Sequence, residues 1–210
     1  HVILDCVGTN QENLQVVRGT AEVLAPLEKI SRIEEVHHPL VSVDDRHERF
    51  ERMLSLARGL EPVEMAVAHP CDRESLKGPI IAFHEGIIEP ILVGPEAKIR
   101  SLAEEFGIDL NGVRIVNARH SHDAAAMAVS LVRTGDAEAL MKGSLHTDEL
   151  MAEVVSRASG LRTERRISHV FVMNVPTYQG PLLITDAAIN IAPTLEDKVD
   201  IIQNAIELAH

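Results

Sequence analysis

The chain has 210 residues, of which 45% are apolar and 25% charged, and its 20 Lys and Arg against 32 Asp and Glu give a formal net charge of −12. Its aromatic content of 2% and its lack of Trp leave no stacking platforms for nucleic acid, and its acidity disfavours polyanionic partners. Length and apolar content are typical of one globular domain or a domain and a half, which excludes a disordered chain.

The location of the protein is predicted from three features of the sequence. No apolar run reaches the ~20 residues of a membrane span, and nothing resembles a signal peptide. Cys6 and Cys71 fit neither a disulfide framework nor a CxxC pattern. We therefore expect a cytoplasmic protein that binds no membrane. The chain opens at His1 without an initiator Met, from which we expect that it starts inside a longer polypeptide.

The first part of the chain predicts a β-hairpin. Residues 2–7 and 15–24 are rich in β-branched residues and are separated by a polar, turn-forming stretch. An isolated hairpin is marginally stable, so this one is expected to belong to a larger sheet. Residues 27–47 read as a linker, and we place a domain boundary near Pro39, between residues 1–38 and residues 39–210.

Beyond the linker, short apolar runs alternate with amphipathic segments of helical length, which is typical of βαβ units and a parallel sheet. The predicted class is therefore α/β. The expected strands cover residues 63–68, 90–95, 113–116, 137–141, 169–173 and 182–185, and the expected helices cover residues 50–60, 75–85, 96–106, 123–134, 148–158 and 194–210.

Ligands of open α/β sheets bind at the carboxyl ends of the strands, so the loops that follow the strands are the candidate sites. In residues 69–72 (HPCD), helix capping by Asp72 or Ser75 is favoured over a nucleophilic role for Cys71, because only His69 stands near as a base. In residues 120–123 (HSHD), capping by Ser121 or Asp123 is favoured over metal binding, because no ligand spacing is completed elsewhere. No metal site is predicted.

The loop at residues 141–148 (MKGSLHTD) offers a second kind of site. Gly143 permits a close backbone approach, while Lys142, Ser144 and Thr147 can hold an anion at the start of a helix. The glycine spacing is not that of a Walker loop. An ordinary strand–loop–helix connection capped by Thr147 or Asp148 remains equally compatible with the sequence.

Two further segments carry polar groups. Residues 157–169 contain Arg157, Arg162, Arg165 and Arg166 against the single acid Glu164, which favours a phosphorylated ligand. The alternative is a solvated loop whose arginines pair with surface acids. Residues 185–193 (TDAAINIAP) place Asp186 and Asn190 in one loop, where Asp186 is either a general base or a tie for the loop backbone.

Three of these segments, in chain order, resemble the phosphate acetyltransferase/phosphate butyryltransferase family. They are residues 139–147 (ALMKGSLHT), 167–173 (ISHVFVM) and 184–194 (ITDAAINIAPT), and residues 88–95 (IEPILVGP) fit an early strand of the same family. The first thirty residues are similar to the closing strands of a MaoC-like, or hot-dog, enoyl-CoA hydratase domain. The combination resembles bifunctional enoyl-CoA hydratase/phosphate acetyltransferases.

The resemblance implies a three-layer α/β/α fold of the isocitrate/isopropylmalate-dehydrogenase-like kind and a homodimer or higher homo-oligomer. It implies transfer of an acetyl or butyryl group between coenzyme A and orthophosphate through an acyl phosphate. Coenzyme A is then a co-substrate, with acyl-CoA and acyl phosphate as partners and no tightly bound cofactor or metal.

Site residues follow from the same resemblance. Lys142, Gly143, Ser144, His146 and Thr147 are expected on the cleft wall. Arg162, Arg165 or Arg166 neutralises phosphate, and the loop from Asp186 to Asn190 lines the same cleft. The general base is not assigned, because the Ser-Arg pair and the Asp that the family uses near its chain end have no counterpart before His210.

A second hypothesis is a catalytically silent module that binds CoA or acyl phosphate, or that drives oligomerisation, within a larger bifunctional hydratase protein. The missing Ser-Arg and Asp motifs favour it. An NAD-linked oxidoreductase is disfavoured, since no GxGxxG motif follows a predicted strand.

Overall fold

The structure is a computed structural model that describes residues 2–9, 12–23, 45–175, 178 and 180–210. It divides into two compact units, residues 1–40 and 41–210. The linker prediction and the boundary near Pro39 lie outside the described residues and stay predictions.

The first unit contains the predicted hairpin. Strands β1 (Val2–Thr9) and β2 (Gln15–Val23) pair antiparallel, with an irregularity between Gly8 and Thr9. Arg18 bridges the two strands with a bidentate contact to Asp5, whose closest N–O distance is 2.7 Å. Apolar side chains on both faces of the hairpin stay exposed; they include Ile3, Leu4, Val7, Val16 and Val17.

The second unit alternates strands and helices as the sequence predicts. Its elements are α1 (Asp45–Ala57), β3 (Val63–Ala68), α2 (Arg73–His84), β4 (Ile88–Gly94), α3 (Glu96–Phe106), β5 (Arg114–Asn117), α4 (Ser121–Thr134), β6 (Ala139–Lys142), α5 (Thr147–Val154), β7 (Phe171–Met173), β8 (Leu182–Ile184) and α6 (Leu195–Ala209).

The central sheet has four parallel strands in the order β5-β4-β3-β6. Strands β7 and β8 lie outside it, as a separate antiparallel pair. The α/β class with a parallel sheet is therefore confirmed. None of the helices in the described part of the chain is long and apolar enough to cross a membrane.

Helices cover both faces of the central sheet. Helices α2 and α3 pack on one face, over a core that includes Val67, Leu76 and Leu92. Helices α4 and α5 lie on the other face, where Ala125 and Ala128 are fully buried and let α4 approach strands β3 and β4 closely. The two cores make the three-layer arrangement.

Helix α5 ends at Val154, so the prediction that it continues to residue 158 is wrong. The amide of Leu161 donates to the carbonyl of Val154 at 2.9 Å, and Leu161 packs against the core. A Cβ at Gly160 would lie 2.4 Å from the oxygen of Val154, so this turn depends on glycine. The turn at Gly160 and the packing of Leu161 on the core therefore accompany the end of the helix at Val154.

Capping is correctly predicted for α2 and wrongly for α4 and α5. Asp72 and Thr194 form capping boxes with Ser75 and Asp197. The cap of α4 is neither Ser121 nor Asp123 but His120, whose Nδ1 accepts from the Asp123 amide at 3.3 Å. The cap residue of α5 is His146 rather than Thr147 or Asp148, and its side chain makes no capping bond.

Candidate functional site

The candidate site lies where the connections of the central sheet change direction. From β3 the chain adds β4 and β5 on one side, and then crosses over to place β6 on the other side of β3. In open α/β sheets, ligands bind at the carboxyl edge beside such a switch point. The two loops at this edge are residues 69–72 after β3 and residues 143–146 after β6.

The two loops are joined by their backbones. The amide of Gly143 donates to the carbonyl of Ala68 at 2.8 Å, and the amide of Ser144 donates to the carbonyl of His69 at 2.9 Å. A Cβ on Gly143 would lie 2.4 Å from the oxygen of Ala68 and 2.5 Å from that of His69. Gly143 therefore serves the close approach expected of it, although what approaches is the neighbouring loop.

Ser144 is the polar centre of this junction. Its hydroxyl donates to the carbonyl of His69 at 2.9 Å and accepts from the amide of Cys71 at 3.2 Å. The same oxygen lies 3.1 Å from Nδ1 of His69. Ser144 thus holds the loop after β3 in place with a side chain that the sequence assigned to ligand binding.

His69 occupies an unusual backbone position for a residue with a side chain. Its φ of 54° lies in the left-handed region, which His adopts more readily than most residues. The ring is half-buried, and burial, followed by the positive charge of Lys98, lowers its pKa, while Glu149 and Asp72 act in the opposite direction. The imidazole is therefore neutral at neutral pH.

Lys142, His146 and Thr147, at the two ends of the loop after β6, are exposed, whereas Leu145 is buried. Nζ of Lys142 donates to the carbonyls of Gly143 at 3.3 Å and Leu145 at 3.0 Å, which holds the loop in a tight turn. His146 and Thr147 lie at the start of α5, where free amide groups favour anions. This end of the sheet combines an ammonium group, a helix start and a neutral imidazole.

The loop after β3 supports the capping interpretation. The carboxylate of Asp72 accepts from the amide of Ser75 at 2.8 Å, and this bond lowers its pKa. Cys71 is 6% exposed, and burial raises the pKa of its thiol. A buried thiol that ionises less readily is a poor nucleophile, as expected from the sequence.

A second group of predicted residues lines an open groove between the segment of residues 162–168 and helix α6. Arg165 forms an ion pair with Glu207. Arg166 contacts Asp197 at 3.0 Å and also donates to Asn190. These two arginines pair with acids, which is the alternative that the sequence left open. Arg162 is exposed and has no ion pair among the described residues.

Asp186 ties down its own loop. Its carboxylate accepts from the amide of His169 at 2.7 Å, and from both the backbone amide and the side-chain Nδ2 of Asn190. Burial acts to raise the pKa of Asp186, but these hydrogen bonds outweigh it and lower the pKa below its ordinary range. The role as a tie for the loop backbone therefore accounts for the hydrogen bonds of this carboxylate.

The pKa of Asp186 predicts a pH-dependent contribution to stability. Since the folded-state pKa lies below the unfolded value of about 3.9, the stabilisation is complete above that value and disappears as pH falls through the folded pKa. We expect Asp186→Asn to lower the melting temperature at pH 7, with a difference from the parent protein that shrinks toward pH 2.

Thermal unfolding monitored by circular dichroism between pH 2 and pH 7 measures this difference. Glu104→Gln on the exposed side of α3 is the matched control and is expected to change little. A difference between Asp186→Asn and the parent that grows toward low pH would contradict the assignment.

The structure thus brings the predicted residues together as two groups. Residues 142–147 meet the loop after β3, and residues 162–190 meet α6. Among the described residues, no hydrogen bond or ion pair joins one group to the other, so a single shared cleft stays a prediction. The sequence considered His69 only as a base near Cys71, and the structure places its ring against Ser144 of the loop after β6.

The two histidines at the start of α4, His120 and His122, form no site of their own. The rings of His120 and His122 lie 6.1 Å apart, and His120 is occupied in capping the helix. Within the described ranges, no three His, Cys, Asp or Glu residues are placed to hold a metal ion.

Known proteins similar to this chain are named phosphate acetyltransferases or phosphate butyryltransferases. Residues 119–210 match a family model described as "Phosphate acetyl/butaryl transferase". The chain is 59% identical over 160 residues to a "Phosphate acetyltransferase" of Rhizobium meliloti, covering 76% of this chain and 51% of the relative. It is 53% identical over 167 residues to a "Phosphate acetyltransferase" of Rickettsia prowazekii (strain Madrid E), covering 80% of this chain and 48% of the relative.

The fold is also similar to a solved structure, a branched-chain phosphotransacylase from Enterococcus faecalis V583. The TM-score is 0.57 at 29% identity, over 70% of this chain and 51% of that one. This chain spans about half the length of the curated relatives that it matches.

Proposed function

We propose that this protein transfers a short acyl group between coenzyme A and orthophosphate. The first support is the match of residues 119–210 to the phosphate acetyl/butyryltransferase family model. The CoA thiol attacks the carbonyl of an acyl phosphate, and phosphate leaves. The observation that carries the proposal is the 59% identity to a relative named phosphate acetyltransferase. In this chain, the loop at residues 142–147 lies at the switch point of the sheet.

The chemistry of the loop after β6 supports this role. Acyl transfer from a phosphate needs cations near the leaving group and hydrogen-bond donors near the developing oxyanion. Lys142 supplies a charge, and the start of α5 at His146 and Thr147 supplies donors. Gly143 and Ser144 hold this loop against the loop after β3, which keeps these groups in a fixed arrangement.

Arg162 is the arginine that we assign to the phosphate of the substrate. Arg165 and Arg166 already pair with Glu207 and Asp197, and an anion would have to compete with those carboxylates. Arg162 lines the same groove without such a competitor in the described part of the chain. The Asp186–Asn190 loop then contributes by shaping the groove rather than by proton transfer.

The second candidate is a module that binds CoA or acyl phosphate, or that drives oligomerisation, without catalysis. The pairing of Arg165 and Arg166 with acids of α6 favours it, because it leaves fewer cations for catalysis. The full protein in this reading is a bifunctional enoyl-CoA hydratase. Its MaoC-like part would include the exposed apolar hairpin of residues 2–23, which needs a larger sheet to cover it.

The proposal includes a cytoplasmic location and a homodimer or higher homo-oligomer, without a tightly bound cofactor. Exposed apolar side chains on α6, among them Leu195, Val199 and Ile202, offer a surface that another chain or another part of this protein can cover.

The test is acyl-CoA formation by the purified protein from CoA and acetyl or butyryl phosphate, followed at the thioester absorbance. We expect thioester to appear together with orthophosphate in equal amounts. Binding of CoA without turnover would favour the silent binding module. Absence of both binding and turnover would contradict acyl transfer and leave oligomerisation as the role of the module.

The assignment of Arg162 predicts a specific kinetic effect. A charge-assisted hydrogen bond contributes about 1.5–3 kcal/mol, so Arg162→Gln is expected to raise KM for acyl phosphate by about 10- to 100-fold. The KM for CoA changes less. Arg114→Gln, at an exposed arginine on β5, is the matched control and is expected to retain the parent constants. An unchanged KM in Arg162→Gln would remove this residue from the site.

A further inference from the structure

We propose that Asn204 of α6 is a positioning residue for the phosphate of the substrate. Its side-chain amide fixes residues 165–168 against α6 and thereby holds Arg162 at the groove. This inference rests on the proposed acyl transfer, and it adds a residue that acts through Arg162 without touching the substrate.

The side chain of Asn204 makes three hydrogen bonds to this one segment. Nδ2 donates to the carbonyl of Arg166 at 2.9 Å and to Oγ of Ser168 at 2.8 Å. Oδ1 accepts from Nη1 of Arg165 at 3.4 Å. Nδ2 carries two protons, so these bonds use both of its donors. The half-buried amide is therefore fully engaged in holding the segment.

Asp200 adds a fourth bond from the preceding turn of α6. Its carboxylate accepts from the backbone amide of Arg166 at 2.9 Å. Residues four positions apart lie on one side of a helix, so Asp200 and Asn204 face the segment together. We call these two residues the α6 clamp. It holds both the amide and the carbonyl of Arg166.

The segment depends on side chains because residues 166–169 belong to no helix or strand. Nδ2 of Asn190 donates to the carbonyl of Ile167 at 3.0 Å, and Asp186 accepts from the amide of His169 at 2.7 Å. Backbone polar groups need partners, and here side chains provide them in place of a neighbouring strand. Loss of one clamp side chain therefore frees part of the segment.

Arg162 lies between two points at which this part of the chain is held. Before it, the amide of Leu161 donates to the carbonyl of Val154 at 2.9 Å, and Leu161 packs on the core. After it, the α6 clamp holds Arg166. Both Arg162 and Asn204 line the groove. A loop that is already ordered binds its ligand more tightly, because binding then costs less conformational entropy.

Asn204→Leu is the decisive variant, because it keeps the approximate size of the side chain and adds no charge, but removes both donors and the acceptor. Loss of hydrogen bonds of this kind is expected to raise KM for acyl phosphate by about 10-fold. We expect kcat and the KM for CoA to change little. Gln203→Leu is the matched control, since this exposed amide on the same helix contacts Glu207 rather than the segment, and it should keep the parent constants.

A double-mutant cycle distinguishes positioning of Arg162 from a general loss of structure. If Asn204 acts through Arg162, then Asn204→Leu should raise KM for acyl phosphate by less than about 2-fold in a protein that already carries Arg162→Gln. A merely structural defect would have the same effect in both backgrounds.

Two variants of Asp200 test the clamp without changing Asn204. Asp200→Asn and Asp200→Ala both remove the charge, but only Asn keeps an oxygen that can accept from the amide of Arg166. We expect KM for acyl phosphate to be about 5-fold higher in Asp200→Ala than in Asp200→Asn. Equal values in the two variants would contradict the clamp.

Titration calorimetry with inorganic phosphate repeats the Asn204 and Arg162 cycle without turnover, and the same pattern is expected in Kd. If the parent forms acyl-CoA and Asn204→Leu either keeps the parent KM or has an undiminished effect beside Arg162→Gln, the role of Asn204 is overturned while acyl transfer stands. If the parent neither forms acyl-CoA nor binds phosphate, the proposed function and this role fall together.

Discussion

The Gly143→Ala protein is expected to melt about 2–12 °C below the parent and to lose most of its acyl-transfer activity. The new Cβ would lie 2.4 Å from the oxygen of Ala68 and within 2.7 Å of two backbone atoms of His69. Backbone cannot rotate away as a side chain can, so the loops must separate, which breaks the bond from Gly143 to Ala68. Overpacking of this kind costs about 1–3 kcal/mol, and each kcal/mol shifts the melting temperature by about 2–4 °C.

Differential scanning calorimetry of this variant needs a glycine control in the same unit. Gly59→Ala serves, because its Cβ would meet only the oxygen of Leu56, at an ordinary 3.6 Å. We expect that variant to match the parent or to melt slightly higher, since alanine reduces the freedom of the unfolded chain. A Gly143→Ala protein as stable as Gly59→Ala would show that the loops are not in close contact.

Leu145→Ala is expected to lower the free energy of unfolding by about 2–5 kcal/mol and to raise KM for both substrates. Leu145 is 4% exposed and belongs to the same buried cluster as Ala68 and Leu150. Its carbonyl also accepts from Nζ of Lys142. Truncation leaves a cavity under the loop after β6 and removes the anchor that holds Lys142 at the end of the sheet.

Urea unfolding measures this loss, provided that the slope m of the unfolding free energy against urea concentration is the same in each variant. Two further variants separate the causes of the loss. Leu145→Met keeps the volume and is expected to cost less than about 1.5 kcal/mol, with near-parent activity. Leu56→Ala, at a leucine of α1 that is 68% exposed, should have little effect. Equal losses in Leu145→Ala and Leu56→Ala would contradict the anchoring role.

Local sequence patterns were sufficient to predict the alternation of elements. Helix α3 begins at Glu96 and ends at Phe106 as its apolar spacing predicts, and the carboxylate of Asp72 caps α2 as its position indicates. Such features depend on residues within one or two turns of each other. The end of α5 was mispredicted because tertiary packing decides it: Leu161 donates to the carbonyl of Val154 and packs on the core.

The candidate site likewise combines features that local sequence predicts with features that distant contacts decide. The loop at residues 142–147 could be selected from its Gly, Lys and Thr, because those residue types suit an anion whatever surrounds them. The ion pairs of Arg165 and Arg166 could not be predicted in this way, because their partners lie some thirty to forty positions away on α6, beyond the range of any local pattern. Asp186 is likewise explained only by the His169 amide that it binds.

Alternation of strand and helix, the hairpin and the candidate loops were therefore determined by the sequence alone, since hydrophobic spacing and turn residues act over a few positions. The tertiary structure decided the rest. It placed His69 against Ser144, 75 positions apart, because the crossover between β5 and β6 sets β6 beside β3. It also decided which arginines are paired and which carbonyls Gly143 must approach. Those outcomes depend on the order of strands in the sheet, which hydrophobic spacing does not encode.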